Sequence, residues 1–236
     1  MATATVGDII TRADVILQDN NVRWPVSELL YWLNDAYRAI VMQRPDANMK
    51  SGTFTCAAGT RQVLTKSGGG GFPEALRLRS VVRNVAAAST KRAVRLIQQA
   101  VLDDQRPGWH AETGGIDIQH YIYDPLNPTE FMVYPPALTT AQLEVVYSSV
   151  PTQHVIAEGS IKASTEVIKL PDIYVNPILD YVLYRAYAKD SEYAANAQRA
   201  QGHFQAYSAA LGAGVQADAA TAPQDDSRSS GNHGAN

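Results

Sequence analysis

The chain has 236 residues, of which 45% are hydrophobic and 18% charged, a composition typical of a globular protein with a sizeable core. Its net charge of −3 argues against a general nucleic-acid coat or a polybasic membrane binder, and it has no apolar run long enough to span a membrane. The single cysteine, Cys56, excludes an internal disulfide and suits a reducing compartment, and the start MATATVGDII lacks the features of a secretory signal.

Two amphipathic helices are predicted in the first 45 residues. Apolar residues recur at helical spacing from Val6 to Leu17, and again from Val26 to Val41. Pro25 is tolerated at a helix start, whereas Arg44-Pro45 ends the second helix.

A β-rich region is predicted from about residue 50 to 170, where the apolar period falls to two and turn residues are frequent. We expect antiparallel strands and a short helix near 97–104, and Pro135-Pro136 should end its strand. The predicted strands are a hairpin of Thr53–Ala57 with Arg61–Thr65, an alternating Leu76–Arg79, a strand through Ile116, Ile118 and Ile122, Phe131–Tyr134, and Leu143–Tyr147.

Helical spacing returns after Pro171-Asp172. One stripe runs from Val175 to Ala186, and Ser191 is placed to cap a second helix that ends at Gly212. The apolar seam of that second helix is predicted to consist of Tyr193, Ala197, Ala200, Phe204, Tyr207 and Leu211. The polar residues from Ala213 onward cannot offset their ordering entropy alone, so this tail should order only on binding a partner.

The predicted fold class is α+β: a four-helix bundle formed by the N- and C-terminal helices, with an inserted antiparallel β-rich domain and a flexible C-terminal tail. Each terminal helix pair has one apolar stripe that needs a partner, so closing the two pairs into one bundle is the simplest arrangement. The predicted boundaries are 1–48 with 172–212 for the bundle, 49–171 for the insertion and 213–236 for the tail.

No catalytic or metal-binding constellation emerges from the sequence. The five histidines do not share metal-ligand spacing, Asp103-Asp104 and Asp225-Asp226 suit solvated charges, and no Gly-x-Ser-x-Gly occurs. Cys56 is expected to be a small buried thiol. We therefore predict neither an enzyme nor a cofactor.

Two features suggest protein interfaces. Six basic residues and no acidic one lie between Ala75 and Leu102, and Arg77, Arg79 and Arg83 among them form a candidate patch, with a solvated face as the alternative. Tyrosine is abundant, 12 residues against 4 phenylalanines, and interface and plain core are equally good interpretations. The aromatic candidates are Tyr174, Tyr184, Tyr187, Tyr193, Phe204 and Tyr207.

Several strings, taken in order, resemble one known family. They are Trp24–Leu30 with Leu33–Ala36, Tyr123–Pro125 with Asn127-Pro128, Phe131–Pro136, Val145–Ser148, and a long string from Leu170 to Tyr193. Together they resemble the head-to-tail adaptor, or connector, proteins of short-tailed bacteriophages (podoviruses). The similarity extends from residue 24 to about 211 and rests on order and spacing.

The resemblance implies a structural virion protein that forms a ring, of about twelve copies, beneath the portal and continues the DNA channel to the tail nozzle. The implied partners are the portal protein, nozzle or tail fibre proteins and other copies of the chain, while genomic DNA passes through the lumen without specific binding. The chain would be made in the host bacterial cytoplasm and reside at the capsid-tail junction. A polar C-terminal extension that orders on the portal is common in that family, which makes portal-binding candidates of Val215, Asp218, Pro223, Asp225, Asp226 and Arg228.

Three alternatives remain open from the sequence. The first is another short-tail component, a nozzle or fibre-attachment subunit, for which 236 residues is short. The second is a glycan-binding β-domain, which needs exposed strand aromatics such as Tyr121 and Tyr123. An enzyme is the third.

Overall fold

A computed structural model describes residues 3–19, 22–67 and 69–221, with residues 213–221 described as backbone only. The protein is α+β, as predicted. The helices of these residues are α1 (Val6–Leu17), α2 (Val26–Gln43), α3 (Gln99–Gln105), α4 (Val175–Lys189) and α5 (Ala194–Thr221). The strands are β1 (Met49–Thr55), β2 (Gly59–Val63), β3 (Ala75–Asn84), β4 (Arg95–Leu96), β5 (His120–Tyr123), β6 (Glu130–Ala137) and β7 (Gln142–Ser149).

The chain divides into two compact units. The helical unit comprises the described residues of Met1–Ala36 and Val155–Asn236, and the β unit is Tyr37–His154. Helix α2 runs across the division.

Helix α4 is the element on which the helical unit is built, because both α1 and α5 pack against it. A capping box starts α1, in which the Asp8 backbone N–H donates to Thr5 Oγ1 and the Asp8 carboxylate accepts from the Thr5 backbone N–H. Pro177 lies in the first turn of α4, where its missing N–H costs little. That α1, α2, α4 and α5 close into one four-helix bundle remains a prediction.

The seam of α5 differs from the predicted one. Its buried residues are Asn196, Ala200, Tyr207 and Leu211, and their average spacing fits a straight α-helix. Tyr193 and Phe204 are 67% and 43% exposed, and Ala197 is exposed as well. The predicted seam was therefore wrong at these three positions: the buried face is rotated toward Asn196, so Ala197 and Phe204 lie at the opposite margin of the predicted stripe, and Tyr193 precedes the helix.

The ends of α5 also differ from expectation. The helix begins at Ala194, so Ser191 is too far upstream to be its N-cap, and it continues through Gly212 to Thr221. Four of the eight residues after Gly212 are alanine, the residue of highest helix propensity, which favours continuation of the helix past Gly212 and Gly214.

Long-range contacts tie the N-terminal segment to the C-terminal one. The Asp172 carboxylate accepts hydrogen bonds from the backbone N–H groups of Thr3 (2.8 Å) and Ala4 (3.1 Å) and from the Thr3 hydroxyl (2.6 Å). The Trp24 indole N–H donates to the Ala186 carbonyl at 2.8 Å, and the ring of Trp24 meets Tyr187 edge-on. The helical unit therefore closes only after the whole β unit has been made.

The β unit contains two sheets around one core. Their strand orders are β1-β7-β3 and β2-β6-β5-β4, and Phe54 of the first sheet packs on Phe131 of the second, with ring centroids 5.5 Å apart. Helix α3 supplies Leu102 to a second cluster on Ile122, Tyr134 and the buried Trp109. The short α3 near 97–104 is confirmed.

The predicted hairpin of Thr53–Ala57 with Arg61–Thr65 is wrong. Strand β1 pairs with β7, whereas β2 pairs with β6 in the other sheet. The chain passes between the sheets at a turn that the buried Gln62 side chain holds, because its amide exchanges hydrogen bonds with the Ala57 backbone at 2.7 and 2.9 Å. The local Gly-Thr turn signal does not reveal such long-range pairing.

Three further strand expectations need correction. Pro135-Pro136 does not end β6, which continues to Ala137, because both prolines lie opposite an irregular stretch of β2 where the ladder needs no donor. Strand β4 pairs with β5 in parallel, so the sheet is not purely antiparallel. Residues 116–118 are not a strand: the buried Asn84 amide holds Ile118, accepting from its N–H and donating to its carbonyl, both at 2.8 Å.

We expect Asn84→Ala to lower the free energy of unfolding by about 2–4 kcal/mol, because the backbone groups of Ile118 would stay buried without partners. Urea denaturation measures this change. The matched control is Asn176→Ala at an exposed position of α4, which should change stability by less than about 0.5 kcal/mol. Equal effects of the two substitutions would contradict this role of Asn84.

We expect Tyr207→Ala to cost about 3–5 kcal/mol, because Tyr207 is 1% exposed and packs on Tyr181 with ring centroids 5.4 Å apart. Phe204→Ala should cost about 1 kcal/mol or less. Tyr207→Phe should be neutral or stabilising, since the Tyr207 hydroxyl is buried without a hydrogen-bond partner among the described residues. Thermal unfolding of the three variants measures this order, and a Phe204→Ala cost equal to that of Tyr207→Ala would refute the assigned seam.

The Asp172 clasp should loosen in acid. Hydrogen bonds from the Thr3 side chain, then from the Thr3 and Ala4 backbone, hold the pKa of Asp172 below its ordinary value of 3.8. Because the folded pKa is the lower one, the clasp contributes fully above about pH 4 and is lost as the pH falls through the folded pKa. NMR titration of the Thr3 and Ala4 amides should show a step below pH 3.8, absent in Asp172→Asn. A midpoint at or above 3.8 would count against the clasp.

Candidate functional site

The predicted aromatic interface separates into buried and exposed residues. Tyr174, Tyr187 and Tyr207 are buried, so their rings serve the core of the helical unit and leave little surface for a partner. The Tyr187 ring stacks on His203, and His203 Nδ1 lies 2.9 Å from the Asp180 carboxylate. Of the two interpretations of these three tyrosines, core or interface, the structure therefore supports the core.

The exposed aromatics remain available to a partner. Tyr193 projects from the turn before α5, and Phe204 lies against Tyr184 with ring centroids 5.1 Å apart. Tyr184 itself is partly buried. The aromatic candidates for contact outside the chain are therefore Tyr193, Phe204 and the free edge of Tyr184.

The exposed large apolar side chains that the sequence reasoning missed include Tyr31 and Ile173 of the helical unit. Tyr31 is 66% exposed and Ile173 is 77% exposed. A signal for Tyr31 was present, because it falls outside the Val26–Val41 apolar stripe of α2. The sequence gives no such signal for Ile173, because this residue lies in a short 3-10 helix, Asp172–Tyr174, in which the next residue, Tyr174, is buried.

Three β-bulges turn the basic residues of β3 outward. The pairing of β3 with β7 shifts between Ala75 and Arg77, between Leu78 and Ser80, and between Val81 and Arg83, so three residues of β3 span two of β7. Every third residue, from Ala75 to Asn84, is therefore buried. The expected Leu-Arg alternation was wrong at Leu76, which is exposed, but Arg77, Arg79 and Arg83 all lie on the outer face.

The members of the basic segment have different partners. Arg83 Nε donates to the Glu144 carboxylate at 2.6 Å, and Lys91 Nζ donates to the carbonyls of Val85 and Ala86. Arg77 and Arg79 make no ion pair or hydrogen bond with the described residues, and they line one cleft. Arg92 and Arg95 are exposed as well but lie outside this cleft, so Arg77 and Arg79 are the two arginines of the basic segment that share one candidate site.

The predicted portal-binding residues lie at the end of the described chain. Val215 and Asp218 belong to the last turns of α5, where the backbone alone is described. Pro223, Asp225, Asp226 and Arg228 lie outside the described residues.

Cys56 and Asp103, two side chains of types that can take part in catalysis, have structural roles in the fold. Burial raises the pKa of Cys56 to about 12, which keeps its thiol protonated and a poor nucleophile. Asp103 accepts the indole N–H of Trp109 at 2.9 Å. Within the described part of the chain, no cluster of His, Cys, Asp or Glu has metal-site geometry, and no helix is long and apolar enough to cross a membrane.

The strand tyrosines do not form a sugar-binding platform. Tyr121 is buried in the core between the sheets, and Tyr123 packs against the same core, its hydroxyl donating to the Pro128 carbonyl at 3.4 Å. The exposed strand aromatics that a glycan-binding surface requires are therefore not provided by these two residues.

Several residues of the family-like strings act as structural ties. Trp24 and Asp172 fasten the N-terminal segment, while the Tyr147 hydroxyl donates to Glu74 at 3.0 Å. Burial, followed by this hydrogen bond, raises the pKa of Tyr147 to about 12. Trp24, Tyr147 and Asp172 of these strings therefore have structural roles in the fold.

Comparisons with known proteins agree with this interpretation. The chain matches the model of the SU10 adaptor protein family over residues 4–229, nearly its whole length. The search of curated proteins finds no match. A structural framework of tied helices and sheets, matched by one family model from end to end, establishes that the chain belongs to the SU10 adaptor protein family of phage structural proteins.

Proposed function

We propose that this protein is a head-to-tail adaptor of a short-tailed phage, which forms a ring of about twelve copies beneath the portal and continues the DNA channel to the tail nozzle. The match to the adaptor family over residues 4–229 is the observation that carries this proposal. The terminal helices would form the bundle of residues 1–48 and 172–212, and the β-rich insertion of 49–171 would contact nozzle or tail fibre proteins.

The charge distribution supports a ring built from unlike surfaces. The β unit has 12 basic and 9 acidic residues, a net charge of +3, whereas the rest of the chain has 8 and 14, a net charge of −6. Contacts between identical surfaces would oppose like charges, while contacts between different surfaces of neighbouring copies can oppose unlike charges. Repetition of such a head-to-tail contact closes a ring.

The length of α5 supports a C-terminal contact with the portal. At 1.5 Å per residue, the 28 residues of α5 span about 42 Å, whereas the 15 residues of α4 span about 22 Å. Leu211 is the last buried residue of α5 whose side chain is described. In this proposal, residues 213–236 carry the portal contacts, including Val215, Asp218 and the acidic pair Asp225-Asp226.

The overall negative charge suits a channel through which DNA must slide. With a net charge of −3 per copy, a ring does not attract the phosphate backbone in general. The adaptor therefore needs no specific DNA contact and no cofactor, and it would occupy the capsid-tail junction of the virion.

Truncation tests the proposal. Mass photometry of portal rings mixed with the full chain should show about twelve added copies. A chain ending at Thr221 should add fewer copies, and one ending at Leu211 should add none, because the second deletion also removes the last turns of α5. Both truncations keep every residue that is described as buried, so the helical unit should stay folded.

The matched control is a full-length chain in which residues 222–236 are permuted, since it keeps their composition but loses their order. It should behave like the chain ending at Thr221. Full occupancy by the chain ending at Leu211 would refute the C-terminal contact, and failure of the intact chain to bind would refute the adaptor function.

A further inference from the structure

The outer face of the β1-β7-β3 sheet has a cleft of about 400 Å³ at one end. It is lined by Pro45, Asp46, Met49, Arg77, Arg79 and Ser148. Ser148 is the centre of a row across the sheet, because β7 pairs it with Met49 on one side and with Arg77 on the other. Cross-strand neighbours of this kind have Cβ atoms about 5 Å apart.

Ser148 has an unused hydroxyl. The residue is 1% exposed, and its Oγ is buried without a hydrogen-bond partner among the described residues. A buried hydroxyl without a partner is destabilising, so its position at a cleft indicates that the partner arrives with a ligand.

Two guanidinium groups complete the site. Arg77 is the direct neighbour of Ser148 on β3, and Arg79 occupies the next bulge, which turns it to the same outer face. Guanidinium groups pair with carboxylates through two parallel hydrogen bonds, and neither Arg77 nor Arg79 makes such a bond with the described residues, although Arg79 lies close enough to Asp46 to help lower its pKa.

The acidic residue that lines the cleft, Asp46, is already paired with an arginine. Arg44 binds Asp46 through two hydrogen bonds, from Nε at 3.0 Å and from Nη2 at 2.5 Å. These bonds, more than any other cause, hold the pKa of Asp46 below its ordinary value. The Arg44–Asp46 pair contributes no net charge, so the cleft retains the two positive charges of Arg77 and Arg79.

We infer that this cleft binds one Asp or Glu side chain of a partner protein, whose carboxylate accepts from Ser148 Oγ and pairs with Arg77 and Arg79. A single carboxylate matches the two guanidinium groups of the cleft, whereas the next arginine along β3, Arg83, is already paired with Glu144 and is not available to a run of phosphates. This contact lies outside the assigned portal-binding segment, and its test needs neither ring nor portal.

The test uses the full chain and small probes at about 50 mM salt, where charge interactions are weakly screened. NMR titration with the acetylated, amidated tripeptide Gly-Glu-Gly should shift the signals of Met49, Arg77, Arg79 and Ser148 with a millimolar dissociation constant. The peptide Gly-Gln-Gly should leave them unchanged. Arg77→Gln with Arg79→Gln should weaken binding about 10-fold or more.

Two further variants test whether binding depends on the cleft residues themselves or on the general charge of the basic segment. Arg92→Gln with Arg95→Gln removes the same charge from the same basic segment away from the cleft, and binding should change less than about 2-fold. Ser148→Ala should weaken binding about 3-fold without lowering the thermal midpoint, because it deletes an unpaired hydroxyl. If Ser148 had a purely structural role, Ser148→Ala would lower both the affinity for Gly-Glu-Gly and the thermal midpoint.

Three outcomes would overturn the inference. One is the absence of binding of Gly-Glu-Gly to the wild-type chain, and another is equal binding after loss of Arg77 and Arg79. The third is tighter binding of inorganic phosphate or a short DNA duplex at the same signals, which would assign the cleft to nucleic acid.

Discussion

The helical unit depends on closing the two ends of the chain around α4. Helices α1 and α5 both pack on α4, and the ties that hold the N-terminal segment join residues more than 160 positions apart, as in Trp24 to Ala186 and Thr3 to Asp172. Because isolated helices of about 12–15 residues are marginal in water, α1 and α4 depend on these contacts for their stability. The two segments of the helical unit are separated in sequence by the β unit, so their mutual contacts join distant parts of the chain.

The β unit shows how local irregularity creates a usable surface. A regular β3 would alternate its side chains between core and solvent, but three bulges leave one buried residue in three. Six outward side chains result, and among them Arg77 and Arg79 flank the unpartnered hydroxyl of Ser148. Bulges commonly re-aim side chains near functional sites, and this strand uses them to concentrate charge at one end of a sheet.

The helical spacing of apolar residues predicted the helices that bury one face. The stripes from Val6 to Leu17 and from Val26 to Val41 match α1 and α2, and the stripe after Pro171 matches α4. Strand partners were not predictable, because β1 and β2 each pair with a strand far along the chain while a single side chain, Gln62, shapes the turn between them.

The candidate site was predicted only in part, for similar reasons. Composition pointed to Arg77 and Arg79, since six basic residues and no acidic one lie between Ala75 and Leu102. Ser148 could not be found this way, because its importance comes from being buried without a partner beside two unpaired arginines. For the aromatic candidates around α4 and α5, the sequence predicted more interface residues than the structure exposes. Three of the six are buried in the core of the helical unit.

The described structure comprises helices packed on α4, a two-sheet unit that presents charge, and a long helix, α5. The most direct test of the central claim is a cryo-electron microscopy map of the adaptor bound to its portal ring. The account predicts a ring of adaptor copies with residues 213–236 of each copy traced on the portal surface. A map in which these residues make no contact with the portal, or in which no ring forms, would contradict it.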